Sequence, residues 1–246
     1  MNVGVSGTGG GFQRFVTGET AIQDASRPIT QAEIDAAAAN GVEYYEMKVG
    51  TDGLSVVVSP QNDFVDCLTV EELAAVWAPE STINNWSQVR DGFPDQQLRL
   101  YGPGTDSGTF EYFTEEIVGE ARASRSDYTA SEDDNFLVQG VGGDRSALGY
   151  FGYAYYIENS SQVKAIGIDA GNGCVEPTTE TIEAGDYVPL SRPLFIYVNA
   201  AELERPEVAE FVRFYMENGA ELTEAVGYVA EDESVYMENL TAAGLN

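Results

Sequence analysis

Apolar residues in this chain occur in two patterns, continuous runs and runs that recur every three or four positions. The segments LSVVVS (54–59) and PLFIYVN (193–199) are continuous and rich in β-branched or aromatic residues, which is typical of strands buried on both faces of a sheet. The alternating segment LRLY (98–101) and the short segment at 3–5 also predict strands.

Helices are predicted where the apolar spacing is three or four residues. These segments are 32–39, 67–77, 110–120, 136–142 and 206–218. Within 67–77, Thr69 is followed three residues later by Glu72, the spacing of a capping box. The helix over 32–39 is closed by Asn40 and Gly41. The acidic segment DYTASEDDN (127–135) is predicted to be a loop.

The alternation of strands and helices predicts an α/β fold with a mainly parallel sheet. The two strongest strands, around Val57 and around Ile196, lie far apart in the chain and bracket everything between them. This arrangement is typical of two lobes joined by two crossing strands. We expect one discontinuous lobe from 1–57 and 196–246 and a second lobe from 58–195.

Charge and composition limit the partners. The 246 residues include 41 acidic and 12 basic side chains, for a net charge of −29, which disfavours nucleic acid and anionic lipid because both require a basic surface. The basic residues are ten Arg and two Lys, and this acidity is typical of a protein that works in a saline medium, although an ordinary acidic protein is the alternative. The chain shows neither a signal peptide nor an apolar segment of membrane-spanning length. A small-molecule partner is favoured.

Histidine is absent from the sequence, which excludes Ser-His-Asp and Cys-His catalysis. The two cysteines, Cys67 and Cys174, lack zinc-type spacing and either pair with each other or remain as buried thiols. No cofactor or metal site is expected.

Three loops combine hydroxyls with small residues: VSGTGGGF (5–12), DASRPI (24–29) and GTDSGTF (104–110). Two of them open helices, where free backbone amides and the helix dipole favour an anion. Any one such loop is more often an ordinary helix start. The spacing fits neither a dinucleotide-binding loop nor a P-loop.

Taken together and in order, these loops and the segments TVEELAAVW, INNWSQV, ALGYFGYAYY and SRPLFIYVN resemble the phosphate-binding protein of the phosphate ABC transporter, along essentially the whole chain. The resemblance implies a two-lobed receptor that closes on one phosphate ion and delivers it to a membrane permease. It also implies a periplasmic or extracellular location, and we expect a monomer that is not an enzyme.

The resemblance also implies a set of ligands. Ser107, Gly108 and Thr109 match the Ser-Gly-Thr anion loop of the family, and Ser26 and Arg27 match the Ser-Arg pair found in the branch of the family with an ASRPI motif. Ser6 and Thr8 lie in the family's second Gly-rich loop, where one of the two hydroxyls is expected to donate. We expect Arg27 and the Ser107 turn to face the same interlobe cleft, with Arg27 making the charge-assisted contact.

The sequence departs from the family at three places. Pro103 stands where some members have an Arg four residues before the Ser-Gly-Thr serine, so Arg27 is expected to supply the cation alone. Arg27 also stands where some members have an Asp that accepts the phosphate proton, and Asp106 is the nearest substitute. Full members begin with a further strand and helix, which we expect to be missing from this chain, together with their ligands.

A disulfide between Cys67 and Cys174 is predicted because the family is exported to oxidising compartments and both residues fall in the middle lobe. Two alternatives to the receptor stay open: a surface sensor or adhesion protein that keeps the fold, and a truncated form whose phosphate binding is weakened. A phosphatase would need a metal cluster or an activated nucleophile, and the acidic run at 132–135 lacks the spacing of a calcium loop.

Overall fold

The computed structural model describes residues 2–4 and 6–246 of the chain. The strands are β1 (Ile22–Ala25), β2 (Tyr44–Val58), β3 (Cys67–Thr69), β4 (Arg99–Pro103), β5 (Thr129–Ser131), β6 (Ala147–Gly152), β7 (Lys164–Ala165), β8 (Gly167–Asp169), β9 (Cys174–Val175) and β10 (Ser191–Asn199). The helices are α1 (Thr8–Phe15), α2 (Gln31–Ala39), α3 (Val70–Trp77), α4 (Gly108–Phe113), α5 (Asp134–Gly143), α6 (Tyr153–Glu158), α7 (Thr179–Glu183), α8 (Pro206–Glu217), α9 (Gly219–Ala225) and α10 (Glu233–Ala242).

The chain divides into two compact units. The first contains residues Met1–Asp52 and Arg192–Asn246, and the second contains Gly53–Ser191. One boundary falls within β2, between Asp52 and Gly53, and the other falls directly after Ser191, the first residue of β10. These are the two strands that the sequence predicts most strongly.

In the first unit, β10 lies between β1 and β2, and it pairs with β1 in antiparallel register. Side chains of β10 alternate between two cores, as the period of a strand requires. Phe195 and Tyr197 pack with Phe12 and Phe15 of α1, whereas the residues between and after them pack against α8 and α10. Both faces of this strand are therefore buried, which explains why its sequence is continuously apolar.

In the second unit, β6 pairs antiparallel with β2 and parallel with β4, which in turn pairs parallel with β5. On one face, Phe151 packs with apolar residues of α5. On the other face, the Tyr150 ring stacks on Phe113 at 3.7 Å between centroids and meets the edge of Trp77 at 5.0 Å. The aromatic segment that follows Ala147 therefore contributes chiefly to the core, although Tyr155 is 40% exposed.

A small three-stranded sheet in the second unit carries the disulfide. Strand β8 pairs with β3 on one side and β9 on the other. Cys67 and Cys174 form a disulfide across 6.1 Å between their Cα atoms, which confirms the predicted pairing.

Local predictions from capping chemistry are confirmed. Thr69 begins α3 in a capping box with Glu72, and Asn40 ends α2. The predicted helix over 110–120 is present as α4 followed by a π-helical turn over Thr114–Val118.

Five predictions are corrected. The sheets are mixed rather than mainly parallel, because β10 returns from a distant part of the chain to lie beside β1 and β2. Residues 3 and 4 are not in a strand, and Val5 lies outside the described residues. The glycines at 9–11 belong to helix α1 rather than to a loop. The acidic segment at 127–135 contains β5 and the start of α5, and Asp24 and Ala25 belong to β1.

Candidate functional site

The first unit brings together Thr8, Ser26 and Arg27, which we call the first donor cluster. Thr8 opens α1, and Ser26 and Arg27 follow directly after β1. The Oγ1 atom of Thr8 lies 3.1 Å from the Oγ atom of Ser26 and accepts the backbone N–H of Ser26 at 3.2 Å. Two hydroxyls and a guanidinium are thus placed at the amino end of one helix.

The amino terminus of α1 has no side-chain cap within the described residues, because its N-cap residue is Gly7. Its first amides are therefore available to an anion. The helix reaches this position by a close approach to β1: a Cβ atom on Gly11 would lie 2.0 Å from Oε1 of the buried Gln23. Ser6 is exposed, and its Oγ atom lies 3.5 Å from the Cβ position of Gly10.

Arg27 forms a bidentate ion pair with Glu33 of α2. Its Nη2 and Nη1 atoms donate to the two carboxylate oxygens at 2.8 and 2.9 Å. The guanidinium also lies over the ring of Phe12, 5.3 Å from its centroid. The hydrogen bond from Arg27 lowers the pKa of Glu33 to about 2, with Thr30 contributing further hydrogen bonds. Glu33 therefore stays ionised at any physiological pH.

The second donor cluster is Ser107, Gly108 and Thr109, at the start of α4. Ser107 is the N-cap residue, and its Oγ atom accepts the backbone N–H of Thr109 at 3.1 Å. A hydroxyl has two acceptor lone pairs and one proton, so this cap leaves the Ser107 O–H free to donate elsewhere. Asp106, which precedes the cluster, is exposed.

The second cluster lies at the carboxyl edge of two parallel strands, where α/β proteins commonly bind ligands. Pro103 at the end of β4 is in register with Ser131 at the end of β5. The acidic residues that follow β5 therefore lie near the loop that follows β4. A Cβ atom on Gly104 would lie 1.9 Å from Oε1 of Glu132, so only glycine allows this carboxylate its position.

One acidic side chain at this edge, Asp134, has a raised pKa. Burial, together with the negative charges of Asp133 and Glu132, raises the pKa of Asp134 to about 6. This carboxyl group is consequently half protonated near pH 6, whereas an isolated Asp would be fully ionised.

The sequence analysis did not identify two charged residues that lie beside these clusters, Glu33 and Glu132. The first had a signal, since Thr30 and Glu33 have the spacing of a capping box, which the structure contains. The second had none, because its position against Gly104 depends on the pairing of β4 with β5.

Neither a metal centre nor a membrane span is found in the part of the chain that the structure describes. No three His, Cys, Asp or Glu side chains there are grouped so that they could hold a metal ion. None of the helices described is both long enough and apolar enough to cross a bilayer.

Comparison with known proteins shows close relatives. A family model described as a PBP superfamily domain matches residues 1–218. SphX of a Synechocystis species is 52% identical over 239 residues, which cover 96% of this chain and 71% of SphX. The phosphate-binding protein PstS of Staphylococcus aureus is 36% identical over 244 residues, which cover 98% of this chain and 72% of PstS.

The fold is also found in a solved structure. A possible phosphate binding protein from Planctomyces limnophilus superimposes with a TM-score of 0.90 and 51% sequence identity. The match covers 96% of this chain and 86% of that one.

Proposed function

The chain belongs to the PBP superfamily, in the family that includes SphX and the phosphate-binding protein PstS, and on that premise we propose that it binds inorganic phosphate. The observation that carries the proposal is the first donor cluster, where two hydroxyls and an arginine stand at an uncapped helix start. Such a group of donors suits a tetrahedral oxyanion.

The proposed ligands are residues of the two donor clusters. In the first, they are Arg27, Ser26 and a hydroxyl of the α1 start, for which Thr8 is favoured over Ser6 because Thr8 already contacts Ser26. In the second cluster, they are the O–H of Ser107, the amide of Gly108 and the hydroxyl of Thr109, because the Thr109 amide is already bonded to the Ser107 Oγ atom.

We further propose that the protein is an exported receptor that delivers phosphate to the permease of an ABC transporter, as a monomer and without catalysis. The motif resemblance supports the delivery step, and the disulfide between Cys67 and Cys174 supports an oxidising compartment. The complete absence of histidine supports binding rather than hydrolysis, because it removes the commonest general base.

Selectivity for phosphate over sulfate requires an acceptor for the phosphate proton, and Asp106 is the proposed acceptor. Glu132 is the competing candidate, because its carboxylate lies against Gly104 at the beginning of the same loop. Replacing the true acceptor by its amide should reduce the preference for phosphate over sulfate. Replacing the other carboxylate should leave this preference unchanged.

Titration calorimetry with phosphate and with sulfate tests the proposal. Arg27→Ala should weaken phosphate binding at least about tenfold, since hydrogen bonds to charged groups contribute roughly 1.5–3 kcal/mol each. Arg14→Ala is the matched control, because Arg14 is an exposed residue of the same unit paired with Glu19. Absence of phosphate binding by the unmodified protein would favour a sensor or adhesion role, and equal affinities for Arg27→Ala and Arg14→Ala would remove Arg27 from the site.

A further inference from the structure

The guanidinium of Arg27 has only part of its hydrogen-bonding capacity occupied. Three of its five N–H groups have acceptors: Nη1 donates to the Pro28 carbonyl at 3.0 Å and to Glu33, and Nη2 donates once to Glu33. Among the described residues, no acceptor contacts the Nε–H or the second Nη2–H. These two groups point in parallel from one edge of the guanidinium plane, the geometry that receives two oxygens of an oxyanion.

The Glu33 carboxylate is itself held in place by hydrogen bonds. Its Oε2 atom accepts the backbone N–H and the hydroxyl of Thr30, both at 2.8 Å, within the capping box of α2. Its side chain is only 18% exposed, compared with 38% for Arg27. The carboxylate is therefore anchored to a helix start and can determine the orientation of the longer, more exposed arginine.

The oriented guanidinium lies beside the rest of the first donor cluster. Its Nη2 atom is 3.9 Å from the Cβ position of Gly9, in the first turn of α1. Its Cζ atom lies over the buried ring of Phe12. Rotation of the guanidinium is thus limited by a ring on one face and by Glu33 along one edge.

We propose that Glu33 is a positioning residue for phosphate: it holds the Nη1–Nη2 edge of Arg27 so that the Nε–Nη2 edge is presented to two phosphate oxygens. This inference rests on the proposed phosphate-binding function. It assigns to a carboxylate a favourable effect on anion binding, which is the reverse of what its charge alone would produce.

The direction in which one substitution changes phosphate affinity distinguishes a positioning role of Glu33 from a purely electrostatic one. Glu33→Gln removes a negative charge but keeps the length of the side chain and an acceptor for Thr30, since Gln also serves in a capping box. If Glu33 acts only as a counter-charge, the variant should bind phosphate more tightly. If Glu33 positions Arg27, the variant should bind at least fivefold more weakly. Asp35→Asn, with the same charge change on the same helix, is the control and should change affinity less than twofold.

The same substitution in an Arg27→Lys background separates positioning from a structural role. Lysine keeps the charge but lacks the planar guanidinium whose orientation Glu33 would fix. In this background, Glu33→Gln should leave affinity unchanged or improve it, because only the competing carboxylate is removed. Equal weakening in both backgrounds would show that Glu33 acts through the stability of α2, and the proposal would be wrong.

A measurement on the unmodified protein tests the contact directly, and a variant serves only to assign the resonance. The Nε–H resonance of Arg27, assigned by its loss in Arg27→Lys, should shift when inorganic phosphate is added. An unmoved resonance in protein that binds phosphate would overturn the positioning role but leave the proposed function intact. If calorimetry shows no phosphate binding at all, both fail.

Discussion

Ser107 is expected to have two separable roles, and two substitutions at this position distinguish them. Its Oγ atom accepts the N–H of Thr109 and so caps α4, while its O–H is free to donate to phosphate. Ser107→Ala removes both roles. Ser107→Asp keeps the cap, because Asp is as good an N-cap residue as Ser, but it has no proton to donate at neutral pH and adds a negative charge.

The magnitudes follow from the two kinds of hydrogen bond. Loss of the cap in Ser107→Ala should lower the free energy of unfolding by about 1 kcal/mol. Loss of a donor to a charged phosphate should cost roughly 1.5–3 kcal/mol of binding, or about 10- to 150-fold in affinity. Ser107→Asp should keep the stability of the unmodified protein and yet bind phosphate more weakly than Ser107→Ala.

Denaturant unfolding gives the stability of each variant, and calorimetry gives its phosphate affinity. Thr69→Ala is the matched control, because Thr69 caps α3 in the same unit and should cost similar stability without affecting binding. Phosphate affinity of Ser107→Asp equal to that of the unmodified protein would refute the assignment of Ser107 as a ligand. Equal loss of affinity in Thr69→Ala and Ser107→Ala would show that only helix stability matters.

Three further predictions concern stability and pH. Replacing Cys67 and Cys174 together by Ala should lower the unfolding free energy by about 2–5 kcal/mol, because the bond closes a sequence separation of 107 residues; a loss below about 1 kcal/mol in denaturant unfolding would contradict this. The pKa of Asp134 is raised to about 6 in the folded state, so its protonated form is favoured there and stability falls as pH rises from about 4 through 6. Asp134→Asn should therefore be more stable than the unmodified protein at pH 8, by about 1 kcal/mol after allowance for solvent screening, and no more stable near pH 4; equal melting temperatures at pH 8 would contradict this. Gly11→Ala should lower stability by about 1–2 kcal/mol and weaken phosphate binding, because the added methyl group would displace the buried side chain of Gln23. An unchanged melting temperature and an unchanged phosphate affinity would show that this side chain can move without cost.

Several features of this protein are determined by short stretches of sequence. The capping box of Thr69 and Glu72, the end of α2 at Asn40 and the burial of the strand around Ile196 are all predictable, because each depends on neighbouring residues or on a period of two. The helix start at Ser107 is equally predictable from its residue types, whereas the start of α1 at Thr8 is not, because the glycines at 9–11 favour a loop. The order of these segments was sufficient to indicate the family.

The tertiary structure decided which of these groups meet, and with what partners. Strand β10 lies beside β1 because residues from the two ends of the chain share one core, and this pairing makes the sheet mixed. Glu132 reaches Gly104 only because β5 pairs with β4. Arg27 and Glu33 are six residues apart, yet no helical or strand period joins them, since one follows β1 and the other lies in α2. Their ion pair depends on the path of the connecting backbone and on the ring of Phe12 beneath the guanidinium, and it determines which edge of Arg27 is left for an anion.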